Sequence, residues 1–284
     1  MVQNMQTITT AAELRRALAD SRKNDRRIGF VPTMGCLHEG HLALVKASRA
    51  RCPVTVVSIF VNPTQFGPNE DLSVYPRDFS RDQRLCSEAG IDFLFAPDAR
   101  EIYPPEFDTF VEPGDLARRL CGAFRPGHFR GVATVACKLF NMVQPNVAFV
   151  GQKDLQQCAV VRRMTVDLDL PTEIVIVPTV REHDGLAMSS RNRYLNAEER
   201  QRALAISRAL FAAEAAFRAS ERDSEKLIRI AEWHLQSIDH LQYLEIVHAH
   251  TLRPAASPLS GPAAICVAGY VGRTRLIDNV ILNR

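Results

Sequence analysis

The chain of 284 residues is long enough for one large or two modest domains. With 46% hydrophobic and 24% charged residues it has the make-up of an ordinary soluble globular protein. Its 35 Lys and Arg against 32 Asp and Glu leave a net charge of +3, too even to argue for a nucleic-acid partner but open to a local anionic ligand. The seven cysteines are scattered and form no C-x-x-C, the pattern of reduced thiols in a cytoplasmic protein rather than a disulfide framework. No apolar run reaches membrane-spanning length, and the polar, threonine-rich start does not read as a signal peptide.

Thr10-Ala-Ala-Glu13 is a capping box and predicts a helix to about residue 21. The basic stretch 22–27 reads as a solvated turn. A short apolar run at 28–31 predicts a strand. Residues 30–41, F-V-P-T-M-G-C-L-H-E-G-H, lead from it through a tight loop into a helix that ends before Pro53. Gly35 and Gly40 let the backbone pass close to a ligand. His38 and His41, three apart, share a face on a first helical turn. A helix N-terminus adds free N–H groups and the positive end of a dipole, so the stretch suits a phosphate chain. Two unrelated histidines would look the same, and that reading stays open on the pair alone. The spacing excludes an H-E-x-x-H zinc helix, and neither a Walker loop nor G-x-G-x-x-G occurs.

The β-branched run 54–61 predicts a strand buried on both faces, hence a parallel sheet. Asn62 and Gln65 follow it, where open α/β sheets bind ligands, although turn chemistry explains them equally. A polar loop over 69–77, a helix at 80–89 and a strand at 91–95 come next, then an extended, proline-rich region to residue 115. Arg125, His128 and Arg130 cluster before a helix at 132–143, as an anion site or a surface turn. A strand at 147–150 runs into Gly151-Gln152-Lys153-Asp154 and an amphipathic helix to about residue 168. A strand at 173–177 closes the alternation. The βαβα order predicts a Rossmann-like, doubly wound parallel sheet over residues 1–178. Beyond it lie a loop-rich stretch, helices at about 197–218 and 223–237, and strands near 242–247, 264–268 and 274–277. That order predicts a second, smaller α+β C-terminal lid domain over 179–284. The histidines at 234, 240, 248 and 250 have no metal-ligand spacing.

Seven motifs in order carry a resemblance over essentially the whole chain: P-T-M-G-x-L-H-x-G-H at 32–41, V-N-P-x-Q-F at 61–66, E-D-x-x-x-Y-P-R at 70–77, R-P-x-H-F-x-G-V at 125–132, G-x-K-D-x-Q-Q at 151–157, D-G-L-A-x-S-S-R-N at 184–192 and T-R-L-I-D-N at 274–279. The sequence resembles the pantothenate synthetase (pantoate–beta-alanine ligase) family, of the nucleotidyltransferase superfamily related to class I aminoacyl-tRNA synthetases. The resemblance implies a homodimeric, cytoplasmic enzyme that condenses (R)-pantoate with beta-alanine, using ATP and Mg²⁺ and releasing AMP and pyrophosphate through a pantoyl adenylate. It implies a nucleotide loop of Met34, Gly35, Cys36, Leu37, His38, Glu39, Gly40 and His41, the HIGH-type signature. Gly151, Gln152, Lys153, Asp154 and Val180 would hold the adenosine part. Met188, Ser189, Ser190 and Arg191 would close over the phosphates as the counterpart of the KMSKS loop. Gln65 and Gln157 would hold pantoate. His38, His41, Lys153 and Arg191 are the implied catalytic set, with His38 as proton donor to the leaving pyrophosphate.

The residue types suit that chemistry. A carboxylate attacks a polyanionic triphosphate only where its charge is neutralised and the line of attack fixed. The glutamine amides offer paired donor and acceptor to pantoate hydroxyls. Shielding an adenylate from water needs a lid, expected in the loop after Pro178. Two positions depart from the family pattern: Cys121 where L-E-G is typical, and Gln152 where G-E-K-D is common. No Mg²⁺ ligand is assigned, with Asp82 as an outer-sphere candidate. The rivals are another nucleotidyltransferase on the same fold and a non-catalytic nucleotide-binding protein. An RNA-binding role is disfavoured by the charge balance and the lack of a basic–aromatic stripe.

Overall fold

The computed structural model describes residues 5–68 and 70–283. Asn69, with which the expected polar loop begins, and the outermost residues of the two expected domains (1–4 and 284) lie outside the described residues. In chain order the elements are β1 (Gln6–Ile8), α1 (Ala11–Ala17), α2 (Ala19–Lys23), β2 (Ile28–Thr33), α3 (Glu39–Arg51), β3 (Val54–Ile59), α4 (Phe79–Glu88), β4 (Phe93–Phe95), α5 (Ala99–Ile102), α6 (Cys121–Phe124), α7 (His128–Val143), β5 (Val147–Gly151), α8 (Leu155–Asp167) and β6 (Glu173–Val177). Then come α9 (Ala197–Arg218), α10 (Ser224–Trp233), β7 (His240–His248), β8 (Ala263–Val271) and β9 (Thr274–Leu282).

The first six strands form one parallel sheet in the order β1-β4-β3-β2-β5-β6. The winding reverses at β2, which has β3 on one side and β5 on the other. A crevice therefore opens beyond the carboxyl ends of these strands, where doubly wound sheets bind ligands. The V-T-V-V-S-I run of β3 is buried at five of its six positions, as a central strand covered on both faces requires. Ser48 and Thr55, both fully buried, satisfy each other across α3 and β3 at 2.9 Å.

The second sheet, β7-β8-β9, is antiparallel. Its central strand divides its side chains with period two. Ala264, Cys266 and Ala268 join the apolar cluster that includes Ala159 and Val160 of α8. Ile265 and Val267 join the cluster that includes Leu204 and Leu210 of α9. The smaller domain is thus packed on its own helices and on the parallel sheet's helices at once. No described helix is long and apolar enough to cross a membrane.

Several local expectations change. The helix expected to run unbroken to residue 21 is interrupted at Leu18, and α2 extends it to Lys23. Arg22 therefore lies in α2 rather than in a solvated turn, and its guanidinium donates to the Val143 carbonyl at 2.7 Å. The proline-rich region contains α5, capped by Asp98. Beside the crevice, α7 approaches the turn Pro63–Gln65 at Gly131, where a Cβ would lie 2.3 Å from the Thr64 carbonyl oxygen. Gly131→Ala is expected to cost about 1–3 kcal/mol through overpacking. That reads as a lower thermal midpoint in a melt, and an unchanged midpoint would show that the turn yields freely.

Candidate active site

The loop between β2 and α3 is fixed by a buried carboxylate. Asp82, on α4 and 1% exposed, accepts the Cys36 and Leu37 N–H groups on separate oxygens at 2.7 Å each. Burial raises the Asp82 pKa above the usual carboxylate value, opposed by those two N–H groups. The neighbouring Arg81 donates to the Leu37 carbonyl at 2.7 Å. Thr33 Oγ1 donates to the Ser58 carbonyl at 2.7 Å and accepts the Gly35 N–H at 3.1 Å. With an N–H of the loop on each oxygen, Asp82 supports the site from behind and does not line the cavity.

The loop delivers two imidazoles in a geometry that their spacing alone does not suggest. His38 is not in the helix; it is the N-cap of α3. Its Nδ1 accepts the Gly40 N–H at 3.1 Å, and His41 Nδ1 accepts the His38 N–H at 3.3 Å. This is a reciprocal capping box made of histidines, with ring centroids 4.0 Å apart. A ring nitrogen that accepts a backbone N–H carries no proton, so in the neutral rings the proton sits on Nε2. Burial, then Lys153, pushes the His38 pKa down to about 4. Burial, then His38 and Lys153, holds His41 well below the ordinary value. The expected free N–H at Gly40 is thus consumed, and a neutral Nε2–H on each ring takes its place. Gly40 is required here: a Cβ would lie 2.9 Å from His38 Nδ1 and Cε1.

A cavity of ≈ 240 Å³ opens in the crevice. Of the residues expected in a site, Met34, His38, Gly40, His41, Gln65, Gly151, Lys153, Asp154, Gln157, Val180, Met188, Ser189, Ser190 and Arg191 all line it. Gly35, Cys36, Leu37, Glu39 and Gln152 do not. Cys36 and Leu37 are buried behind the loop, and Glu39 faces out. The Gln152 side chain turns to Asn279 Oδ1 at 3.3 Å.

Gln65 is oriented by Asn62, whose Nδ2 donates to Gln65 Oε1 at 3.0 Å and to the Gly131 carbonyl at 3.1 Å. Gln65 Nε2 then faces the cavity beside Met34 Sδ, at 3.1 Å. Asn62 Oδ1 accepts from Tyr103 at 2.8 Å and from Thr64 Oγ1 at 3.0 Å. Turn chemistry and site support are therefore the same fact at Asn62. His128 Nδ1 donates to the Gln65 carbonyl at 2.8 Å, and its Nε2 accepts from Arg125 at 3.0 Å. Arg125 is held by Glu70 in a bidentate pair, both contacts 2.6 Å. Burial, then Arg125, lowers the His128 pKa to about 4. Arg130, grouped with these two in the sequence, points away to Glu112 and the Phe110 ring. Arg191 is gripped by Asp71 at 2.9 and 2.8 Å, and Ser190 Oγ lies 3.2 Å from the Tyr75 hydroxyl. Tyr75 is a cavity residue that the sequence reading does not single out; its signal is its position inside the 70–77 motif beside Asp71.

The stretch after Pro178 is no free flap. Asn192 Nδ2 donates to Glu182 at 2.7 Å, and Arg200 of α9 reaches Glu182 and Asp184 at 2.6 and 2.7 Å. Arg181 pairs with Asp278 of β9.

Fold and cavity together define a Rossmann-like α/β protein with a pocket lined by His38, His41, Lys153 and Arg191 at the carboxyl ends of its strands and a small α+β domain beside it. The family model described as Pantoate-beta-alanine ligase matches residues 6–281, and the chain belongs to that family. It is 71% identical over 279 residues to pantothenate synthetase 1 of Bradyrhizobium diazoefficiens, covering 98% of this chain and 99% of that one. It is 51% identical over 280 residues to pantothenate synthetase of Thermotoga neapolitana, covering 98% and 100%. The crystal structure of pantothenate synthetase from Thermus thermophilus superposes with a TM-score of 0.93 at 49% identity, over 99% of this chain and 100% of that one. That of pantoate-beta-alanine ligase from Francisella tularensis, complexed with beta-gamma ATP and beta-alanine, gives 0.79 at 33% identity, over 98% of each.

The His38 and His128 rings are expected to titrate near pH 4 in proton NMR rather than near the ordinary 6.5. Because the folded pKa values are depressed, the stability they contribute is full above pH 6.5 and is lost as pH falls toward 4. A His38 midpoint at 6 or above would mean that the ring is not held buried beside Lys153.

Proposed function

We propose that this chain makes pantothenate from (R)-pantoate and beta-alanine, with ATP as co-substrate and a pantoyl adenylate between the two steps. The observation that carries the reading is that one cavity is lined both by phosphate-type donors, His38, His41, Lys153 and Arg191, and by two glutamine amides, Gln65 and Gln157. Family membership supplies the substrates. The rival nucleotidyltransferase reading gives pyrophosphate but never AMP.

In the first step the pantoate carboxylate attacks the α-phosphorus and pyrophosphate leaves. Gln65, turned by Asn62, presents Nε2 to pantoate, and Gln157 lines the same cavity. Gly151, Lys153, Asp154, Val180, Met188, Ser189 and Ser190 form the nucleotide side. Lys153 brings a fixed positive charge, and the Nε2–H groups of His38 and His41 donate to phosphate oxygens. Since His38 is neutral in the free protein, it starts as a hydrogen-bond donor and not as a stored proton. It becomes a proton donor only when accumulating phosphate charge raises its pKa. Arg191 reaches the phosphates by exchanging the Asp71 carboxylate for them. In the second step the beta-alanine amine attacks the acyl carbon and AMP leaves.

Among the described residues no three His, Cys, Asp or Glu side chains cluster as a metal cage. One carboxylate, Asp154, lines the cavity. That donor set fits a magnesium ion carried on the nucleotide, since Mg²⁺ keeps several waters and binds through phosphates and one or two carboxylates. When bound it neutralises phosphate charge.

The domain division proposed here remains at 178/179, where the parallel sheet ends with β6. The seven free thiols agree with a cytoplasmic enzyme, and the family resemblance supports a homodimer.

With purified protein, ATP, Mg²⁺ and pantoate, AMP and pantothenate are expected only when beta-alanine is also present. His38→Ala is expected to lower kcat on the order of 100-fold, the usual effect of removing one pre-organised donor. Nucleotide binding without turnover of pantoate would sink the ligase reading.

A further inference from the structure

The motif at 274–279 ends in Asp278-Asn279, on a strand of the small domain. No part of the reaction outlined above uses it. Both residues are 3% exposed. Burying two polar side chains in a strand is unfavourable unless every polar atom is satisfied, and well-packed apolar residues serve stability as well as a buried ion pair does.

We infer that Asp278 and Asn279 are positioning residues, which set the cavity's lysine turn and its arginine loop relative to each other from a single dipeptide. Successive strand residues face opposite ways, so the two reach different elements. Asn279 Nδ2 donates to the main-chain carbonyls of Gln152 and Lys153 at 2.9 and 3.0 Å, and its Oδ1 accepts from Gln152 Nε2 at 3.3 Å. The amide thereby grips the turn Gln152–Asp154 by its backbone, immediately under the Lys153 side chain. Asp278 takes the Arg181 guanidinium at both oxygens, at 2.6 and 3.1 Å, and also accepts the Asn279 N–H at 2.7 Å. Arg181 in turn donates to the Gly185 carbonyl at 3.1 Å and bridges to Ala187. Met188 N–H donates to the Val180 carbonyl at 3.0 Å. The chain then continues directly into Ser189, Ser190 and Arg191. Lys153 and Arg191 thus trace back to adjacent residues of β9, whose register on β8 is unbroken from Ala263↔Leu282 to Val271↔Thr274.

The inference rests on the ligase reading, and its test separates the two. Pantoate-dependent ATP–pyrophosphate exchange reads the first half-reaction. A wild-type chain without such exchange sinks the ligase reading itself. With active wild type, Asn279→Asp keeps the shape but turns an oxygen toward two carbonyls, and Asp278→Asn weakens the hold on Arg181. Each is expected to lower the exchange kcat on the order of 10- to 100-fold, the scale of a misplacement of about 1 Å. KM for pantoate, which depends on Gln65 elsewhere, should stay within about threefold. On a Lys153→Ala background, Asn279→Asp should add almost nothing, because it acts through that lysine. Ile281→Val, on the same strand, gives the loss that a purely structural change produces. If Asn279→Asp does not fold, Asn279→Ala reads the same quantities. Losses no larger than that of Ile281→Val at a matched thermal midpoint, or a full multiplicative loss on the Lys153→Ala background, would overturn the inference.

Discussion

The site depends on how the first turn of α3 is closed. A helix start leaves N–H groups without partners, and in many phosphate sites the ligand takes them. Here His38 and His41 take backbone N–H groups with their Nδ1 atoms, and each then offers Nε2–H one ring-width further out. The imidazoles act as extensions of the backbone donors. Their tautomer follows from the capping geometry, and their neutrality from burial beside Lys153. Two neutral donors can crowd a few ångströms apart, as two imidazolium ions could not. The arrangement also explains Gly40, because any side chain there would meet the His38 ring.

Around this centre the charged groups divide into two kinds. Asp82, with Arg81 beside it, is spent on the backbone of the loop and stays with it. Glu70 and Asp71, by contrast, hold the arginines that approach the cavity, Arg125 and Arg191. Their carboxylates occupy sites that a phosphate can also satisfy, since bidentate guanidinium binding suits both anions. Arg191 therefore need not be desolvated and unpaired while the cavity awaits a nucleotide. Exchange of one anion for another costs less than baring a half-buried guanidinium.

Much of this was legible in the sequence, for identifiable reasons. The parallel sheet follows from the β-branched run of β3 and the alternation with helices, and β6 and α9 fall at their expected residues. β1 escaped because three residues at a sheet edge carry no periodicity, and α5 because a four-residue helix hides in a proline-rich stretch. At the site, motif spacing brought the right residue types to one cavity. It did not show what each one touches. Spacing put His38 and His41 on one face of a first helical turn, whereas the structure makes His38 the cap just before that turn. Spacing grouped Arg130 with Arg125 and His128, yet Arg130, on the first turn of α7, points away while Arg125 and His128 stay in contact. Asp82 reads in the sequence as an outer-sphere candidate for Mg²⁺, because a sequence does not reveal that both its oxygens meet backbone N–H groups. Such distinctions are tertiary, set by contacts between α4 and the loop after β2.

The way the small domain is anchored limits how the cavity can close. Its central strand is buried on both faces, one of them against the apolar cluster of α7 and α8. The loop over 181–192 is tied to α9 through Arg200 and to β9 through the buried Arg181–Asp278 pair. Breaking that pair alone would leave an uncompensated buried charge, at a cost of about 3–5 kcal/mol. A loop peeling away by itself is therefore an unfavourable lid. The segment 70–77 reaches residues of the cavity through three polar contacts: Glu70 with Arg125, Asp71 with Arg191 and Tyr75 with Ser190. Of these six residues Arg125, Arg191, Tyr75 and Ser190 line the cavity. The segment 70–77 and the loop over 181–192 thus meet through polar pairs at the cavity, while the small domain fastens that loop from its other side.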